Sequence, residues 1–166
     1  KNKHFLISGI NIDERKALAD TMLSIALELQ DSFLIHRAYF ELAGVNYSEK
    51  SIEYYQKSLD YVDPSDRLTL SSLYNNLSGR YCFLGNFNQA LIYADSAYNV
   101  SVEVNRNIGV AASLYRKGEA YFFKNDFHNA LEYGLKALEA FKAADVLRRQ
   151  DMSAELISES YKALGN

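Results

Sequence analysis

The stretch Leu77-Ser78-Gly79-Arg80-Tyr81-Cys82-Phe83-Leu84-Gly85-Asn86-Phe87-Asn88-Gln89-Ala90-Leu91 returns 40 residues later as Lys117-Gly118-Glu119-Ala120-Tyr121-Phe122-Phe123-Lys124-Asn125-Asp126-Phe127-His128-Asn129-Ala130-Leu131. Its first part returns again as Ile157-Ser158-Glu159-Ser160-Tyr161-Lys162-Ala163-Leu164-Gly165-Asn166. The copies superpose without gaps. A small residue stands at 78, 118 and 158, and a tyrosine at 81, 121 and 161. The pairs Gly85-Asn86, Asn125-Asp126 and Gly165-Asn166 follow as turns. Self-similarity at a fixed period is the mark of a repeat architecture.

Beyond the turn the likeness continues. Phe87, Ala90, Leu91, Ala94 and Ala97 align with Phe127, Ala130, Leu131, Gly134 and Ala137. An earlier copy, Ser51 to Leu59, aligns with the segments that begin at Ala90 and Ala130. Positions 87, 90, 91, 94, 97 and 98 fall on one face of a helix. The small members let a second helix approach closely, and aromatic rings such as Tyr81 and Phe87 fill the remaining space. Each repeat therefore reads as a helix, a tight turn and a second, antiparallel helix. A lone hairpin cannot cover its apolar face, whereas a stack of hairpins can.

This order of residues resembles the tetratricopeptide repeat. Ser78, Tyr81, Gly85, Phe87, Ala90, Ala94 and Ala97 match its signature in one copy, and Gly118, Tyr121, Phe127, Ala130 and Ala137 in the next. Pro64 stands where the family places a proline after a second helix. The period departs from the family's 34 residues, and the six added residues are worth about 9 Å of helix. Tyr74, Leu114 and Ala154 occupy the position where the family favours tryptophan. The resemblance implies an all-α, right-handed solenoid of antiparallel hairpins running through residues 1–166. It also implies a half repeat at 12–30, a compressed repeat at 33–63, full repeats at 66–105 and 108–145, and a half repeat or capping helix at 148–166. Half repeats at both ends suggest a piece of a longer protein. The first residues, Lys1 to Ile7, read as linker or tag remnant, with an apolar run too short for a signal peptide.

Composition narrows the function. Apolar residues make up 48% of the chain, which is enough for a continuous core. A net charge of -3 supplies no strong field for nucleic acid or anionic membrane. No basic run is longer than the pair Arg148-Arg149. A single cysteine, Cys82, leaves the redox compartment open, and its neighbours make it a structural thiol. His4, His36 and His128 lie far apart without acidic or cysteine partners at ligand spacing, so no metal is expected. They read as surface or helix-boundary residues. Phosphate-binding glycine loops and nucleophile elbows are absent. Glu155 and Glu159, one helical turn apart, read as a solvated face. Three matches to the glycosylation sequon, at Asn46, Asn76 and Asn99, read as chance. No cofactor and no catalytic constellation is expected, and so no enzyme.

The resemblance also places a binding groove along the first helix of each repeat. Transferred to this chain, the groove positions are Ser72, Asn75, Gly79, Cys82 and Phe83, then Ala112, Tyr115, Glu119, Phe122 and Phe123, then Met152, Glu155, Glu159 and Lys162. Of these, Asn75, Gly79, Cys82, Phe83, Tyr115, Glu119, Phe122 and Phe123 are the candidate partner-binding set. For Phe122 and Phe123 the competing reading is packing against a neighbouring helix. Family members that grip acidic chaperone tails use a lysine and asparagine clamp; only Asn75 fits it, so no such clamp is expected. The partner implied is a protein or peptide, with no direct nucleic-acid or membrane contact from this segment. Similar tyrosine-rich repeats suggest the sensory or regulatory part of a larger bacterial signalling or transcription-regulating protein. A stand-alone adaptor is the alternative.

Overall fold

The computed structural model describes residues 11–165. His4 and the proposed linker residues 1–7 lie outside them, as does Asn166. Eight helices and no strand occur among the described residues: α1 (Ile12–Leu29), α2 (Ser32–Val45), α3 (Glu49–Asp60), α4 (Arg67–Phe83), α5 (Phe87–Glu103), α6 (Asn107–Phe123), α7 (Phe127–Ala143) and α8 (Leu147–Ala163). They form two compact units that divide between Asp63 and Pro64.

In the first unit α2 packs on both α1 and α3. Asn11 opens α1 with a capping box shared with Glu14, and Asp31 caps α2 through the Leu34 amide. α2 has 14 residues, against 17 for α4. Its close contact with α3 is made by two small residues, the Ser51 hydroxyl donating to the Ala43 carbonyl at 2.8 Å. Here His36 departs from the surface position read from sequence. It lies inside α2, only 6% exposed, with its Nδ1 2.7 Å from the Ser58 hydroxyl on α3. A ring between two helices can be buried because a buried serine satisfies it.

The second unit is built from equal parts. α4 to α8 each contain 17 residues, and a residue in the left-handed region follows each of them: Gly85, Asn105, Asn125, Asp145 and Gly165. Gly, Asn and Asp are the residues that enter this region most readily. The Asn86 amide donates to the Tyr81 carbonyl at 2.8 Å and the Gly85 amide to the Cys82 carbonyl at 3.0 Å. These two bonds close a Schellman turn. The same long-range bond is repeated by Arg106 to Ser101, Asp126 to Tyr121 and Val146 to Phe141. Asn86 and Asp126 then cap the next helix with their side chains. A turn within a hairpin and a turn between hairpins are thus the same device.

Consecutive helices pack along the whole unit. Ala90, Ala94, Ala97, Ala130 and Ala137 are fully buried at these contacts. The Ser78 hydroxyl donates across to the Ala90 carbonyl at 2.8 Å. At Gly118 a Cβ would stand 3.2 Å from the Gly134 backbone nitrogen and 3.3 Å from the Ala130 carbonyl oxygen. Beside each small contact a tyrosine pair stacks, Tyr81 on Tyr93 and Tyr121 on Tyr133, with 9° between the ring planes in both. α4 also touches α6, and α6 touches α8, whereas α5 and α7 do not touch. The row of first helices is therefore the tighter side, and it forms the concave face of this helical-repeat stack. Tyr161 repeats the position of Tyr81 and Tyr121 but is exposed.

Ala94→Glu and Ala130→Arg each force a charge into a helix contact with no partner for it. Each is expected to cost more than about 3 kcal/mol and to abolish a cooperative thermal transition followed by circular dichroism. A wild-type melting temperature in both variants would show that these faces are not buried.

Candidate functional site

The concave face of the second unit is built around one side chain, Arg116 of α6. Its guanidinium lies directly over Gly79 of α4: a Cβ at Gly79 would come within 2.9 Å of Arg116 Cζ. Only glycine leaves space for it. Arg116 donates to Glu119 at 2.6 Å, one turn along the same helix, and both side chains are about one-quarter exposed. Burial opposes the arginine's charge, but the Glu119 carboxylate and its hydrogen bond outweigh it and raise the Arg116 pKa. The Tyr115 ring lies 5.8 Å from the guanidinium carbon.

Asn75, Gly79, Cys82, Tyr115 and Glu119 from the candidate set gather around this arginine. Cys82 is buried against Ala90 and Ala120. Burial, reinforced by the Glu119 charge, pushes its thiol up to about 12. The same causes push the Tyr115 hydroxyl up to about 12. Tyr115 is also a packing residue, since its ring contacts the cluster of Ala111, Ala112, Ala137 and Phe141. Asn75 donates its amide to the Ser71 carbonyl at 3.1 Å. Its buried Oδ1 has no hydrogen-bond partner, an unusual state for a buried acceptor.

Two of the remaining candidates, Phe122 and Phe123, form a different cluster. Phe123 stacks on Phe87 at 6.1 Å, Phe122 meets Phe123 edge-on at 5.7 Å, and Phe127 meets Phe122 at 5.5 Å. Phe122 and Phe123 thus pack against the turn that follows them and against the preceding hairpin. Phe83 is exposed at the end of α4.

Two clefts open on the concave face. One, of about 240 Å³, is lined by Tyr115, Phe141, Met152 and the arginines 116, 148 and 149. The other, of about 220 Å³, is lined by Ser72, Asn75, Asn76 and the arginines 106, 116 and 149. Arginine side chains are what the groove positions taken from the resemblance missed. Arg106 and Arg149 lie at or near helix starts, outside the positions transferred. The Arg148-Arg149 pair was visible as a basic pair, but its placement depends on α8 packing against α6.

Residues 68–143 match the family model described as Tetratricopeptide repeat. This match, within a stack of antiparallel helices, supports a tetratricopeptide-repeat protein. No curated protein matches it. Tetratricopeptide repeats mediate protein–protein interaction and are typically a non-catalytic fold. No group of three or more potential metal ligands comes together among the described residues. His128 is exposed at the start of α7. Asn76 and Asn99 lie within α4 and α5. None of the described helices is long and apolar enough to cross a membrane. In the second unit, which holds the matched repeats, the 40-residue period comes from helices of 17 residues joined by three-residue turns.

Gly79→Ala should separate fold from site. It removes a helix-interior glycine, a gain of up to about 1 kcal/mol, while displacing the guanidinium end of Arg116. The expected result is an unchanged or higher urea midpoint, together with a changed chemical shift for the Arg116 side chain. A lowered midpoint would place rigid structure over Gly79 instead.

A second expectation concerns pH. Cys82 and Tyr115 have folded-state pKa values above their ordinary values of 9.0 and 10.0. The folded chain therefore holds these protons more tightly than the unfolded chain, so stability is full below about pH 9 and falls as pH rises toward about 12. Cys82→Ala should make this decline shallower in urea titrations between those limits. An identical slope in the variant would remove the thiol from the explanation.

Proposed function

We propose that the second unit captures an extended peptide segment of a partner protein along α4, α6 and α8. The observation that carries this reading is the pair of adjoining clefts on the concave face, which share Arg116 and Arg149. A peptide brings backbone groups to polar side chains such as Asn75 and Asn76 and side chains to an apolar recess. Tyr115, Phe141 and Met152 supply that recess. The tyrosine-rich 40-residue period supports a place as the sensory or regulatory part of a larger bacterial signalling or transcription-regulating protein, rather than a stand-alone adaptor.

The test is a randomised peptide display against the purified chain, with two variants as controls. Met152→Glu puts a carboxylate into the recess and should weaken the selected peptides roughly tenfold or more. Ile92→Glu lies on the exposed side of α5 and should leave affinity unchanged. The reverse pattern would move the binding surface off the concave face.

A further inference from the structure

Three guanidinium groups, Arg106, Arg116 and Arg149, come from two successive first helices and the start of α6 to line one cleft with Ser72, Asn75 and Asn76. No carboxylate lines that cleft. Among the described residues Arg116 has an acidic partner, Glu119, whereas Arg106 and Arg149 have none. Arg106 is held by neutral acceptors only, donating to the Leu68 carbonyl at 3.1 Å and the Ser72 hydroxyl at 2.8 Å. Arg149 stands 5.8 Å from the centre of the Phe141 ring. The cleft thus carries two unneutralised positive charges in a chain whose net charge is -3.

Like charges are placed together here at a cost. Partial desolvation of its guanidinium, on a side chain that stays exposed overall, and the neighbouring charges of Arg116, Arg106 and Arg148 lower the Arg149 pKa. Arg106 is nonetheless tied to the cleft by two hydrogen bonds, and Arg149 lines it from the exposed start of α8. An uncompensated cation cluster of this kind is complementary to an anion that is absent from the chain itself.

We infer that the cleft between Arg106, Arg116 and Arg149 is a subsite for a phosphoryl group borne by the partner peptide. This deepens the peptide-binding reading and rests on it. The charge count selects the ligand. A phosphorylated side chain carries about -1.5 to -2 at neutral pH and three acceptor oxygens, which matches two free guanidiniums plus a third that is already paired. A single carboxylate would leave one cation unmatched. Planar guanidinium forks bind phosphate oxygens in pairs, and the Asn76 amide adds a neutral donor. The apolar recess shares Arg116 and Arg149 with this cleft. The recognised sequence therefore places an apolar side chain next to the phosphorylated residue.

The experiment is fluorescence polarisation of the intact chain with three degenerate peptide pools that are alike except at one central residue: phosphoserine, serine or glutamate. Binding is read at about 0.15 M salt, where exposed charges are largely screened. The phosphoserine pool should bind roughly tenfold tighter than the serine pool, and the glutamate pool should stay near serine. Arg149→Gln should reduce that preference to less than about threefold with an unchanged melting temperature, since the residue is exposed. Arg106→Gln provides a second, independent loss. Equal binding of all three pools, still sensitive to Met152→Glu, would overturn the phosphoryl subsite and leave the peptide reading standing. A glutamate pool as tight as phosphoserine would replace phosphoryl with carboxylate. Failure of every pool to bind would bring down both readings.

Discussion

Two helices can approach no closer than their facing side chains allow, and the second unit is organised around that limit. Ser78 against Ala90, and Gly118 against Gly134 and Ala130, bring the backbones so near that no Cβ could be added at Gly118 without displacing main chain. Where backbones are this close, the axes of successive helices are fixed and the neighbouring tyrosine pairs are forced into stacked register. The turns reinforce the geometry. A left-handed residue at the same place after each helix makes every link equivalent, so the error in one link is not compounded by a different linker in the next.

The concave face follows from the same packing. Because first helices touch one another while second helices do not, side chains of α4, α6 and α8 converge. Convergence is what lets Arg116 cross the gap to cover Gly79, and what brings Arg106 and Arg149 to the same cleft. Arginine is suited to such a place, since its stem packs on apolar surface while its head stays polar. Glu119 and the Tyr115 ring then hold Arg116 in one orientation. A preorganised cation loses less entropy when a guest arrives than a mobile one would.

The two phenylalanines at the end of α6 combine groove positions with ring packing. Phe122 and Phe123 occupy groove positions by count, and their rings engage Phe87 and Phe127, while Phe123 stays exposed. Tyr115 belongs to both worlds, with its ring on the Phe141 cluster and its face toward Arg116.

Period, helix type and the alternation of small and aromatic residues were legible in the chain, because each is a local constraint repeated at fixed spacing. A turn needs Gly85 or Asn125, a close contact needs Ala90 or Ala130, and neither depends on what lies across the groove. The helical-repeat class follows from these alone. His36 was not legible, since its burial requires Ser58 of the facing helix to satisfy it. Nor was the arginine cluster, which joins the start and middle of α6 to α8 across 10 to 43 positions. Charge convergence of that kind is set by how first helices are brought together in space, and sequence spacing carries no record of it.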